Sequence, residues 1–171
     1  MILQGKAWKI GDNVRAQEIL LPKYGAEVPD WPPEECAKYL LSDIIPDFAA
    51  SCQPGDIIVG GVNMGSGHVH YHNFAIKALK AAGVSLFADS LDVLFMRNAI
   101  DMGLPAWSSS GISALVNTGD RLEFKLKSGE ARNLTSGASA EFKPTPQIIL
   151  DILTAGGNVP WALQRAGYTE K

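Results

Sequence analysis

Asp56-Ile57-Ile58-Val59-Gly60-Gly61-Val62-Asn63-Met64-Gly65-Ser66-Gly67-His68-Val69-His70-Tyr71-His72 begins a stretch, ending at Gly83, that reads as strand, glycine loop and helix. Ile57, Ile58 and Val59 form a β-branched run suited to a strand buried on both faces. Gly60, Gly61, Gly65 and Gly67 let the backbone turn tightly. Ala75, Ala78, Leu79 and Ala82 recur at helical spacing and predict an apolar stripe. Gly83 stands where a left-handed residue would end that helix. A glycine loop opening a helix leaves backbone N–H groups unpaired and pointing one way, which predicts an anion site from Asn63 to Gly67.

The same stretch holds all three histidines, His68, His70 and His72. Imidazole changes charge near neutral pH and is a common metal ligand. In an extended chain the three rings would fall on one side and could hold zinc, copper or nickel. In a helix only His68 and His72 would share a face. Gly65 and Gly67, with Asp89 after the next strand, give a partial dinucleotide pattern, but His70 occupies the place of its third glycine.

Working outward, residues 1–10 predict a first strand, with Gly11-Asp12-Asn13 as a turn. Glu18 to Leu21 is a short apolar run stopped by Pro22. A proline-rich connection from Pro29 leads to a helix at about residues 33–42, with Pro33 near its start and Glu34 and Glu35 in its first turn. Pro46 breaks any long helix between Asp43 and Pro54. Beyond the central unit, Val84 to Ala88 reads as another buried strand. Ser90 is a candidate cap for a helix at about 91–102, with Leu91, Leu94, Phe95, Asn98 and Met102 on one face. Leu104 to Trp107 suits an edge strand, since Pro105 cannot donate to a ladder. Two strands joined by one helix imply a parallel βαβ crossover.

From Thr118 the pattern changes. Arg121 to Lys127 alternates strictly, as a half-exposed strand does. Ser128-Gly129 turns it back into Glu130 to Leu134, and Ser139 to Phe142 follows a second turn. Helices at about 146–155 and 160–166 end the chain. The expected class is α/β: a parallel βαβ core with an antiparallel hairpin appendix, in one domain over residues 1–171.

The chain has 171 residues, 46% hydrophobic and 19% charged, enough for a packed core. A net charge of −3 without a basic run argues against a nucleic-acid partner. Cys36 and Cys52 form no Cys-x-x-Cys pair and cannot supply the usual thiolate set of an iron–sulfur cluster. The first residues lack the form of a signal peptide, and no run is long enough for a membrane span, so a cytoplasmic protein is expected.

Gly61-Val62-Asn63-Met64-Gly65-Ser66-Gly67, Leu79 to Gly83 and Phe95 to Pro105 follow one another as in a known family. With Gly11-Asp12-Asn13-Val14, Ile19-Leu20, Lys23-Tyr24, Gly119-Asp120 and Leu134 to Gly137, this order resembles the 3-isopropylmalate dehydratase small subunit. That family is the swivelling β/β/α domain of the aconitase superfamily. The resemblance covers nearly the whole chain. It implies reversible dehydration and hydration of a small hydroxy di- or tricarboxylate, with a [4Fe–4S] cluster carried by a large partner subunit. This chain would hold no cofactor or metal of its own.

The loop departs from the family pattern, which runs Gly-Cys-Gly-Ser-Ser-Arg-Glu-His, with a serine as base and the arginine on a substrate carboxylate. Counted forward from Gly67, His68 and Val69 replace the serines and His70 the arginine. Counted backward from Gly83, the chain is two residues longer, and His70, Tyr71 and His72 take those places. The backward count is preferred, because an insertion within the helix would rotate its stripe by about 100° per residue, whereas a loop absorbs residues cheaply. The resemblance therefore implies His70, Tyr71 and His72 as proton-moving groups, and Asn63, Gly65, Ser66, Gly67 and His68 as substrate-binding residues. The family's Asp-Thr-Asp is Arg15-Ala16-Gln17 here, which makes Arg15 a candidate carboxylate clamp. A loop-bound metal without hydro-lyase activity is the competing expectation.

Overall fold

A computed structural model describes residues 1–20 and 31–168 of the protein. The expectations for Leu21, Pro22, Lys23, Tyr24 and Pro29 lie outside the described residues.

The β-branched run does form a strand covered on both faces. Strand β2 (Ile57–Gly60) is buried at every position and pairs in parallel with β1 (Ile2–Lys9) and β3 (Ser85–Ala88). Ala7 pairs with Ile57, and Ile57 with Ser85. Strand β4 (Ala106–Ser108) adds to β3 in parallel at the sheet edge, as Pro105 suggests. On its other side β1 pairs antiparallel with β5 (Arg121–Lys125), which continues to β6 (Glu130–Asn133) and β7 (Ser139–Glu141). The sheet order is β4-β3-β2-β1-β5-β6-β7. The antiparallel strands extend the parallel core into one continuous mixed sheet, because β1 offers both of its edges.

Alternation along the strands sends side chains into two cores. Trp8, Ile58, Leu86 and Ala88 pack under helices α4 (Val69–Ala81) and α5 (Val93–Asp101). The short helices α1 (Ala16–Ile19), α2 (Pro33–Ala37) and α3 (Phe48–Ser51) close the same face through Ile19, Cys36 and Phe48. Ala7, Ile57, Val59 and Phe87 pack on the opposite face with Phe124, Ile112 of a 3₁₀ turn (Ile112–Leu115), and Leu150 of α6 (Gln147–Ala155). Helix α7 (Asn158–Arg165) follows and buries none of its residues.

Several boundaries differ from the sequence expectation. The helix expected at 33–42 is helical only over Pro33–Ala37 and continues as turns. Helix α5 is capped by Asp92, whose carboxylate accepts from the N–H groups of Leu94 and Phe95 (both 2.9 Å), so it starts two residues later than Ser90 suggests. The buried residues of α5 are Phe95 and Ala99. Leu94 is 46% exposed, and Asn98 is half-buried.

Candidate functional site

Three loops leave the carboxyl ends of β1, β2 and β3, the edge where open α/β sheets bind ligands. Residues 11–15, 61–68 and 89–92 interlock there. Asp12 Oδ1 accepts from the Val62 N–H (2.8 Å), and Asn13 donates its N–H to the Val62 carbonyl (2.7 Å). The Asn63 side chain donates to Asn13 Oδ1 (3.1 Å), both residues having positive φ. Ser90 holds the other side: its Oγ accepts from the Asn63 N–H (2.8 Å) and its carbonyl from the Met64 N–H (2.9 Å). The Gly65 N–H donates to the Val14 carbonyl (2.8 Å), and the Ser66 carbonyl accepts from the Ala16 N–H (2.8 Å).

This interlock corrects the expected anion site. The N–H groups of Asn63, Met64 and Gly65 are all spent on the fold. Among the described residues, the N–H groups of Ser66, Gly67, His68 and Val69 have no hydrogen-bond partner. The cradle therefore begins three residues later, at the helix entrance, where the dipole favours negative charge. Glycine is required at two points along it. Gly65 has φ +77° and a Cβ there would lie 2.7 Å from the Phe95 ring; Gly67 has φ +109° and a Cβ there would meet Gln17 Oε1.

The three histidines and Tyr71 that follow Gly67 divide into two environments. His68 is the N-cap of α4: its Nδ1 accepts from the His70 N–H at 3.4 Å. The His68 and His70 rings stack with centroids 4.7 Å apart, their Nδ1 atoms 3.1 Å apart, and both residues are exposed. Tyr71 is half-buried and meets the His68 ring edge-on at 6.2 Å. His72 turns the other way. It is 1% exposed and edge-on to Phe95 at 5.3 Å, and neither ring nitrogen has a hydrogen-bond partner. Burial lowers its pKa, with the His68 charge adding slightly and Asp92 opposing. An uncharged ring with no free surface cannot replace a carboxylate-binding arginine, so the structure corrects the role expected for His72. The buried position of His72 also separates its ring from the stacked His68 and His70 rings. Among the described residues, no group of three His, Cys, Asp or Glu side chains could hold a metal.

Arg15 lies beside the cradle, its Cβ 3.6 Å from where a Cβ on Gly67 would stand. Its guanidinium is bound by Glu18 through Nε to Oε2 at 3.1 Å, so the expected clamp is already engaged by an internal carboxylate. That pairing raises the Arg15 pKa and lowers the Glu18 pKa. Asp89, the acidic residue of the partial dinucleotide pattern, is occupied by the N–H and hydroxyl of Ser113 at 2.9 and 2.6 Å. Sequence reasoning missed Asp12, Asn13 and Ser90 as the frame of the loop. Their signal is only that each follows a strand end, which does not reveal which loop they brace.

No protein-family model matches the chain. It is 42% identical over 170 residues to the isopropylmalate/citramalate isomerase small subunit of Methanocaldococcus jannaschii, covering 99% of this chain and 98% of that protein. It is 38% identical over 168 residues to 3-isopropylmalate dehydratase small subunit 1 of Thermotoga maritima, covering 98% of each. A crystal structure of 3-isopropylmalate dehydratase from Methanocaldococcus jannaschii superposes with a TM-score of 0.85 at 28% identity, over 97% of this chain and 96% of that one. Identity of this depth from end to end, on the same mixed sheet, shows that the chain belongs to the family of 3-isopropylmalate dehydratase small subunits.

Proposed function

We infer that this chain is the smaller subunit of a hydro-lyase that dehydrates and rehydrates a small hydroxy di- or tricarboxylate of the isopropylmalate or citramalate class. The observation that carries this reading is the 42% identity, nearly end to end, with the isopropylmalate/citramalate isomerase small subunit. In this reading a cluster-bearing large subunit docks over the cradle in the cytoplasm. Among the described residues no helix is long and apolar enough to cross a membrane.

The chain's own cysteines do not fit an iron–sulfur cluster. Cys36 is buried, Cys52 half-buried, and burial raises both thiol pKa values away from the thiolate a cluster needs. In this reading the [4Fe–4S] group belongs to the large subunit. The residues of this chain bind and position. A substrate carboxylate sits on the N–H groups of Ser66, Gly67, His68 and Val69. His70, one turn away and exposed, moves the proton. Arg15 adds positive charge at the rim, and can reach substrate by exchanging Glu18 for a substrate carboxylate. Tyr71 supports the His68 ring.

The test is reconstitution. The chain is mixed with a cluster-loaded isopropylmalate dehydratase large subunit, and alkene formation is followed with isopropylmalate and with citramalate. The expected result is no activity from either subunit alone and turnover by the pair on at least one acid. A stable pair, inactive on every malate-type acid, overturns the assignment.

A further inference from the structure

The geometry points to His68 as the residue that sets the proton on His70, leaving His70 Nε2 bare to act as the base. This rests on the reading of His70 as the proton-moving group. A backbone N–H only donates, so the contact from the His70 N–H makes His68 Nδ1 an acceptor, and a neutral His68 carries its proton on Nε2. The second contact to that atom is His70 Nδ1 at 3.1 Å. Two bare nitrogens would repel at that separation, so His70 Nδ1 carries the proton between them. The neutral His70 ring then has one free lone pair, on Nε2, across the ring from His68.

Near-parallel stacking at 23° fixes the two rings together, and the Tyr71 ring edge closes on His68. In the forward step His70 Nε2 takes the proton from the substrate carbon and the ring becomes an imidazolium, while the C–H electron pair forms the alkene and hydroxide leaves the neighbouring carbon. Its Nδ1–H still donates to His68, which stabilises the positive charge. In the reverse step Nε2 returns that proton. His68 touches no reacting atom in this scheme and is a positioning residue. Its capping role and its tautomer role use the same nitrogen, so they must be separated by variants of different reach.

Long-range proton–nitrogen spectra of the full chain, labelled at histidine, read the tautomers directly at about pH 8.5, above the ordinary imidazole range. The expected wild-type pattern is Nδ1–H on His70 and Nε2–H on His68. In His68→Asn, a side-chain oxygen stands close to where Nδ1 stood, so the His70 pattern is retained. In His68→Ser, the shorter side chain still caps the helix but cannot reach the His70 ring, and His70 shifts toward Nε2–H. In the assembled enzyme, kcat of His68→Ser is then roughly tenfold below that of His68→Asn, with similar KM for the two variants. His70 carrying Nε2–H in the wild type overturns the proposal. So does His68→Ser with an unchanged His70 pattern, which would make His68 a helix cap and nothing more. The spectra need no partner subunit, so a failed reconstitution would leave this result standing.

Discussion

His72 shows how a single ring can be chemically conspicuous and still belong to the core. Its two buried nitrogens lack partners, and each unsatisfied group costs about 1–3 kcal/mol. His72→Leu is therefore expected to raise stability at neutral pH by about 1–3 kcal/mol, read as a higher urea midpoint with an unchanged slope. The pH dependence has a definite sign. Burial lowers the folded pKa below the unfolded value of 6.5, so the unfolded chain binds more protons as the solution is acidified. The wild type loses stability as pH falls through 6.5 toward the folded pKa, and His72→Leu should lose less over that window. Equal slopes of stability against pH in the two proteins would refute this. Gly65→Ala is expected to act in the opposite direction. A left-handed non-glycine residue costs about 1–2 kcal/mol, and the added Cβ also meets Phe95 at 2.7 Å. The midpoint should fall by more than the conformational term alone. In Gly65→Ala with Phe95→Leu, only that conformational part should remain.

At the scale of elements, what was legible depended on whether a signal is local. The parallel unit β2-α4-β3, the edge position of β4 and the hairpin β5-β6 follow from period and turn residues within each segment. His72 was legible too: it lies three and seven residues before Ala75 and Leu79, so extending the stripe back one turn places it inside. The N-cap of α5 was not legible, because Ser90 and Asp92 are equally good caps in sequence. The choice falls to tertiary contacts: Ser90 Oγ is taken by the Asn63 N–H, which leaves Asp92 to cap. The same competition hid which N–H groups stay unpaired. Nothing within residues 61–65 says that Asp12, Val14 and Ser90 will consume their N–H groups. A prediction belongs here. Asp92→Ala should cost about 1 kcal/mol from the lost cap, while Ser90→Ala should leave α5 intact. Ser90→Ala should instead speed amide exchange at Asn63, whose N–H loses its acceptor.

For the molecule as a whole, strand β1 decides whether two cores behave as one. It is the seam between the parallel and antiparallel halves, pairing with β2 on one edge and β5 on the other. Its two faces feed both cores, Trp8 on one side and Ala7 on the other. The seam is locked by Asp56, 5% exposed at the start of β2. Its carboxylate accepts from the Trp8 indole N–H at 2.8 Å, the Gln53 N–H at 3.0 Å and the Lys6 N–H at 3.3 Å, with the Lys6 ammonium 3.9 Å away. Asp56→Ala strands the buried Trp8 donor and removes bonds to a charged acceptor, a loss of about 3 kcal/mol or more. If the two halves of the sheet form one cooperative unit, that loss must appear on both sides of the seam. Amide exchange in β3, within the parallel half, and in β6, within the antiparallel half, should report the same opening free energy in the wild type. Both should fall together in Asp56→Ala. A drop confined to β2 and β3, with β6 unchanged, would mean that the halves unfold separately. The cradle would then rest on the parallel half alone, and variants in β5 to β7 should leave carboxylate binding untouched.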